Sequence, residues 1–263
     1  MPDRKLNSAR EGFDPPAIDF EEHALFFDVD GTLLDIASAP EAVVVPPALL
    51  RAVEHLSRRL SGALALVTGR DIGFIERRFP HYSGPVAALH GAELRHASGA
   101  VERVAPEAAF HAARDFVHAA AEAGGLLAED KGAAIALHYR AAPQKAALAR
   151  DIAERAQRLA GPGWAVQPGK MVFELRPSAG DKGVALSRLM GEAPFTGRVP
   201  FAFGDDLTDQ PMLAAAAEFG GAGVAVGDAI GGTHGARFAS PAALRAWLYA
   251  LADMTNDKKN EGT

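Results

Sequence analysis

Asp28 and Asp30 flank Val29 where an apolar run, Ala24-Leu25-Phe26-Phe27, gives way to Gly31-Thr32. Two carboxylates two residues apart at the end of a buried strand do nothing for packing. Asp is depleted in strands, and a buried carboxylate without a partner is costly. The crevice of a parallel α/β sheet opens at the carboxyl ends of its strands. A carboxylate placed there can attack phosphorus and form an aspartyl phosphate, and a second one nearby can carry the proton.

Three more stations have matching chemistry: Thr68-Gly69-Arg70, Lys182, and Gly204-Asp205-Asp206-Leu207-Thr208-Asp209. The first and last follow apolar runs, and Lys182 opens a predicted helix, so one crevice can collect them all. A dianionic phosphate approaching a carboxylate needs cations and donors to offset the repulsion. In this reading Asp28 is the nucleophile and Asp30 the acid–base. Lys182 holds both carboxylate and phosphate. The Thr68 hydroxyl, with Gly69 and Arg70, binds phosphate oxygens. Asp28, Asp30 and Asp205 form a hard-cation site that suits Mg²⁺, and Asp206 and Asp209 support it from behind. Singly, each station has a plainer reading as a turn, a helix cap or a solvated lysine; their order and context carry the assignment.

The elements that must position these groups begin with strand 24–29. Helix 47–60 follows, with Leu49, Leu50, Val53, Leu56 and Leu60 at helical period, then strand 63–67, helix 71–79 and strand 86–89. This β-α-β-α-β order predicts a parallel sheet. Around Ser98-Gly99 the pattern changes to a hairpin, 94–97 with 101–104. Two α-β-β units come next: helix 107–123 with strands 126–128 and 133–140, then helix 143–160 with strands 164–167 and 170–176. Parallel grammar resumes with helix 181–190, strand 199–203, helix 209–217, strand 223–226 and a last helix capped by Ser240-Pro241. The fold class is therefore α/β: a Rossmann-like parallel core, 1–93 and 177–263, carrying an inserted α+β cap (αββαββ) over 94–176. In the cap strands Ile135, Leu137, Phe173 and Leu175 alternate with His138, Glu174 and Arg176. One face of the cap sheet must then look at water or a ligand.

Composition narrows the field. The 263 residues are 48% hydrophobic, enough for a sizeable core, and the net charge of −6 argues against a nucleic-acid binder. There is no cysteine, so disulfides, thiol nucleophiles and Cys-based zinc sites are excluded. The polar N-terminal segment lacks a signal-peptide core, and no run reads as a membrane span. A cytoplasmic protein acting on a small molecule is expected, with a monomer favoured. The polar stretch from Asp253 reads as a frayed end.

The four stations in this order resemble the motifs of the haloacid dehalogenase superfamily, and the insert resembles that superfamily's large cap class. Within it, TGR (68–70), HGAE (90–93), Glu129-x-Lys131, HYR (138–140), GKMVFELRP (169–177), DKG (181–183) and GDDLTD (204–209) resemble the trehalose-6-phosphate phosphatases. The resemblance implies a Mg²⁺-dependent phosphatase whose cap residues Glu129, Lys131 and Glu174 grip glucose hydroxyls. His90, His138 and Tyr139 read as structural. Gln210 stands where the family usually has Glu. The alternatives are a phosphatase for sucrose 6-phosphate or mannosyl-3-phosphoglycerate, or a phosphomutase.

Overall fold

A computed structural model describes residues 15–36, 43–103, 107–178, 180–230 and 237–257. The Ser38-Ala39-Pro40 stretch and the last six residues of the tail lie outside them.

The parallel core forms because β1 (His23–Phe27), a strand of aromatic and aliphatic residues, is buried along nearly all its length. A strand buried on both faces reads as a continuous apolar run. α1 (Pro47–Arg59) returns the chain to β2 (Leu64–Val67), and α2 (Ile72–Arg78) leads to β3 (Val86–Ala88). After β3 come β4 (Glu93–Arg95) and β5 (Val101–Arg103), then α3 (Ala108–Gly124), β6 (Leu127–Asp130) and β7 (Ile135–His138). α4 (Ala146–Ala160), β8 (Trp164–Gly169) and β9 (Val172–Pro177) follow. The chain finishes with α5 (Lys182–Met190), β10 (Val199–Gly204), α6 (Gln210–Glu218), β11 (Ala222–Val226), β12 (Arg237–Phe238) and α7 (Pro241–Asp257).

The large sheet has the order β12-β11-β10-β1-β2-β3-β4-β5. It is parallel from β12 through β3 and antiparallel at β3–β4 and β4–β5. The central pair, β1 and β10, delivers Asp28 and Asp205 side by side: Phe27 pairs with Phe203, and their rings stack at 4.7 Å. Trp247 of α7 packs against both Phe203 and Phe238.

The second sheet, β6-β7-β9-β8, is antiparallel throughout. Ile135, Leu137, Phe173 and Leu175 face α3 and α4 in a separate apolar cluster, where Trp164 stacks on Phe110 at 4.0 Å. The expected αββαββ order is present in this unit.

The hairpin differs from expectation. It was read as the start of the insert, at 94, but β4 and β5 extend the edge of the large sheet. A tight turn at Leu89–Gly91 reverses the chain directly onto β3, so antiparallel pairing is immediate. The second sheet and its helices therefore span 108–177. α7 also runs to Asp257, past the point where the tail was expected to fray. Among the described residues no helix is long and apolar enough to cross a membrane.

Candidate active site

Lys182 lies at the centre of the crevice. It is the first residue of α5, whose N-cap Asp181 accepts the Val184 amide, and only 3% of it is exposed. Its Nζ is 2.6 Å from Asp28 Oδ1 and 2.6 Å from Asp209 Oδ1. One cation thus joins the first and fourth motifs across two elements. Burial alone would push the lysine down, but the charges of Asp28 and Asp209 outweigh it and hold the ammonium above its ordinary range. Lys182 is charged at every working pH.

Asp28 follows β1 and is 3% exposed. Desolvation, then the nearby charge of Asp209, raises its pKa well above the carboxylate range, with Lys182 opposing. Its second oxygen, Oδ2, is buried and has no hydrogen-bond partner among the described residues. Buried polar atoms are rarely left so, and an orphaned anionic oxygen at a strand end is a place for an electrophile or a cation.

Asp205 lies opposite. Gly31, at φ 89°, makes the approach possible: a Cβ there would sit 2.1 Å from Asp205 Oδ2. Thr32, fully buried, donates to Asp205 Oδ1 at 3.2 Å. Burial, then the charges of Asp209 and Asp206, pushes Asp205 up to about 6.

The acidic cluster that the fold assembles is Asp28, Asp205 and Asp209, whose ligand atoms lie within 4.8 Å of one another. Of the expected set Asp28, Asp30 and Asp205, the carboxylate of Asp30 lies outside this cluster. The carboxylate of Asp30 is gripped by Arg70, Nε to Oδ2 at 2.9 Å and Nη2 to Oδ1 at 2.8 Å. This bidentate fork turns it away from the cluster. Asp209 enters instead, but both its oxygens are engaged. Oδ1 accepts from Lys182, and Oδ2 accepts from the Asp205 and Asp206 amides at 2.8 and 3.1 Å. The oxygens left for a cation belong to Asp28 and Asp205. Oxygen-only, acidic donors fit a hard divalent ion. Asp206 turns to its own loop, accepting from the Thr208 amide and hydroxyl. Gln210 is exposed, away from the cluster.

The second motif frames the other wall. Thr68 is fully buried and its Oγ1 accepts from the Arg70 amide at 3.0 Å, which leaves the hydroxyl hydrogen for another acceptor. The Arg70 guanidinium lies on Asp30 and over the Phe74 ring. The hydrogen bonds it donates to the Asp30 carboxylate, against the cost of burial, raise its pKa further.

On the cap, Glu129 and Glu174 both flank Ala136 of β7, and Lys131 follows β6. Lys131 Nζ is 3.2 Å from Glu174 Oε1. Glu129 Oε2 is 2.8 Å from His138 Nε2, and that hydrogen bond, against partial burial, lowers the Glu129 pKa. The Glu129 charge is felt at Arg70, so this face looks onto the core crevice. Sequence reasoning missed Thr32 and His138. Thr32 was visible as the residue after Asp-x-Asp-Gly. His138 becomes visible only in register, because it pairs with Leu127, diagonal to Glu129 on the neighbouring strand.

A family model described as trehalose-phosphatase matches residues 26–235. The chain is 44% identical over 236 residues to a probable trehalose-phosphate phosphatase of Sinorhizobium fredii, covering 89% of each. It is 38% identical over 244 residues to the trehalose-6-phosphate phosphatase of Escherichia coli, covering 90% of each. In fold it resembles the C-terminal domain of the Candida albicans trehalose-6-phosphate phosphatase, with a TM-score of 0.73 at 24% identity, over 89% of this chain and 93% of that one.

Proposed function

The chain belongs to the trehalose-phosphatase family of the haloacid dehalogenase superfamily, and from that premise we propose that it hydrolyses trehalose 6-phosphate to trehalose and inorganic phosphate through an aspartyl phosphate, with Mg²⁺ bound. The observation that carries the mechanism is the unpartnered Oδ2 of Asp28 beside a buried, charged Lys182. In this reading Oδ2 attacks phosphorus. The sugar oxygen leaves with a proton from Asp30, aimed by Arg70. The same Asp30 then takes a proton from the water that attacks the phosphoenzyme, and phosphate departs from Asp28.

Lys182 neutralises Asp28 before attack and meets the phosphate charge afterwards. Thr68 donates its free hydroxyl hydrogen to a phosphate oxygen. The cation, held by Asp28 and Asp205, supplies positive charge against the phosphate and both carboxylates. Asp209 stays behind the reaction, fixing Lys182 and the 205–206 backbone. Glu129, Lys131 and Glu174 exchange their mutual pairs for hydroxyls of the sugar farther from phosphate. Binding energy from that sugar closes the cap and assembles the crevice.

The test is phosphate release from trehalose 6-phosphate, sucrose 6-phosphate, glucose 6-phosphate and mannosyl-3-phosphoglycerate, with Mg²⁺ and after EDTA. Trehalose 6-phosphate should give the highest kcat/KM, only with the metal, and Asp28→Asn should abolish turnover while leaving Tm within a few degrees. A preference for another ester overturns the substrate. Activity in chelated buffer overturns the metal, and an active Asp28→Asn enzyme overturns the intermediate.

A further inference from the structure

His90 has no role in the chemistry above, although its motif, HGAE, is prominent in the sequence. The other charged residue of that motif has a structural task. Glu93 is buried, accepts the Ile72 amide at 3.0 Å and the Arg103 guanidinium at 3.0 Å, and so ties α2 to the hairpin. His90 has no such explanation. Its ring makes no hydrogen bond to any described residue.

The backbone presenting it is strained. Leu89, His90 and Gly91 have φ of 48°, 55° and 97°. Two consecutive side chains in the left-handed region cost on the order of 1 kcal/mol or more each. The turn is held there by two hydrogen bonds to the second motif, Leu89 amide to Arg70 carbonyl at 2.9 Å and His90 amide to Thr68 carbonyl at 3.1 Å. Strain of this kind persists where the surroundings over-determine it, and here it aims one ring. The imidazole lies directly on Gly69: a Cβ at 69 would be 2.6 Å from His90 Nε2. A bare α-carbon in the phosphate-binding loop makes room for the ring.

Desolvation, then the charges of Lys182, Arg176 and Lys131, holds the imidazole well below its ordinary pKa. It is therefore neutral, with one donor and one acceptor nitrogen. Around the crevice Lys182, Arg70 and Lys131 only donate and Asp28, Asp30 and Asp205 only accept, while the Thr32 and Thr68 hydroxyls are already engaged with Asp205 and the Arg70 amide. The contact with Gly69, next to Thr68, puts the ring beside the phosphate-binding loop.

We infer that His90 hydrogen-bonds a hydroxyl of the sugar ring that bears the phosphate, selecting a pyranose 6-phosphate over a phosphate ester without ring hydroxyls. This rests on the phosphatase reading. Recognition of the substrate is thereby divided: the cap grips the distal sugar and His90 reads the proximal one.

The test uses His90→Gly, which relaxes the left-handed backbone and deletes the ring, and His90→Asn, which tolerates that backbone and keeps a short donor and acceptor. The substrates are the sugar phosphate that wild type prefers and p-nitrophenyl phosphate. His90→Gly should keep or raise Tm. Its loss of kcat/KM on the sugar phosphate, mainly through KM, should exceed its loss on p-nitrophenyl phosphate by about tenfold, the worth of one hydrogen bond. His90→Asn should recover part of it, and if the glycine variant does not fold, His90→Asn against wild type makes the same comparison. Equal losses on both substrates, or wild-type kinetics in His90→Gly, would overturn the inference. A wild type preferring another sugar phosphate would overturn the trehalose assignment and leave His90 to be judged on that ester.

Discussion

Lys182 and Lys131 are both lysines paired with carboxylates at the same crevice, and they are built for opposite purposes. Lys182 touches two carboxylates at 2.6 Å each, all three residues nearly sealed from water. Lys131 touches one, Glu174, at 3.2 Å on a cap surface. A buried ion pair is held firmly because losing one partner strands a charge. The Lys131–Glu174 pair is also mostly buried, at 14% and 11% exposure, but each charge has one partner to exchange instead of a shared three-residue set. The core thus shares one cation between two carboxylates, and the cap pairs one cation with one. The difference lies in burial and the number of partners, with residue type held constant.

Replacing the core lysine should break this contrast most visibly. Lys182→Met leaves Asp28 and Asp209 buried without a counter-ion. A cost of about 3–5 kcal/mol is expected, seen as a Tm drop of roughly 10 °C, together with loss of at least about 10³ in kcat. A stable variant with appreciable turnover would show that the core pair is as expendable as the cap one.

Lys131→Ala should be milder in stability and sharper in specificity. Tm should fall less than in Lys182→Met, because one carboxylate is stranded instead of two. The kcat/KM loss on trehalose 6-phosphate should exceed that on p-nitrophenyl phosphate by roughly 10–100-fold, the worth of a charged hydrogen bond. Losses that match on the two substrates would place Lys131 with Lys182 as part of the chemistry.

The smallest effect is expected at His138→Gln, and it carries a pH signature. The His138 hydrogen bond lowers the Glu129 pKa from 4.5. A depressed carboxylate contributes stability that is present above 4.5 and is lost as pH falls through the lowered folded value. The variant should therefore cost under about 1 kcal/mol at pH 7, given the partial exposure of the pair, and nothing in strong acid. Thermal melts of wild type and variant between pH 7 and 3 should converge; curves that stay parallel would assign the cost to packing.

Much of this site was legible in the sequence because its signals are local. Strand-end carboxylates, apolar periods and turn residues placed Asp28, Thr68, Lys182 and Asp205 at one sheet mouth. The αββαββ order was likewise readable, since each element there ends at its own glycine or proline. What escaped depends on partners distant in sequence. The hairpin of β4 and β5 has the same period in either sheet, and only the Leu89–Gly91 turn decides which edge it joins. The pairing of Asp30 with Arg70, forty positions away, leaves no local trace. His138 acquired a role through cross-strand register, and β12 is two residues long, too short for any period.

The two tryptophans of the chain fall one to each apolar cluster. Trp164 stacks on Phe110 inside the cap; Trp247 lies against Phe203, one residue before the Gly204-Asp205 turn. Each unit therefore contains its own optical probe. Trp164→Phe leaves emission that reports on the core behind the strand that ends at Asp205, and Trp247→Phe leaves emission that reports on the cap alone. Fluorescence of the two single-tryptophan proteins can thus time ion binding and cap rearrangement independently, without any added label.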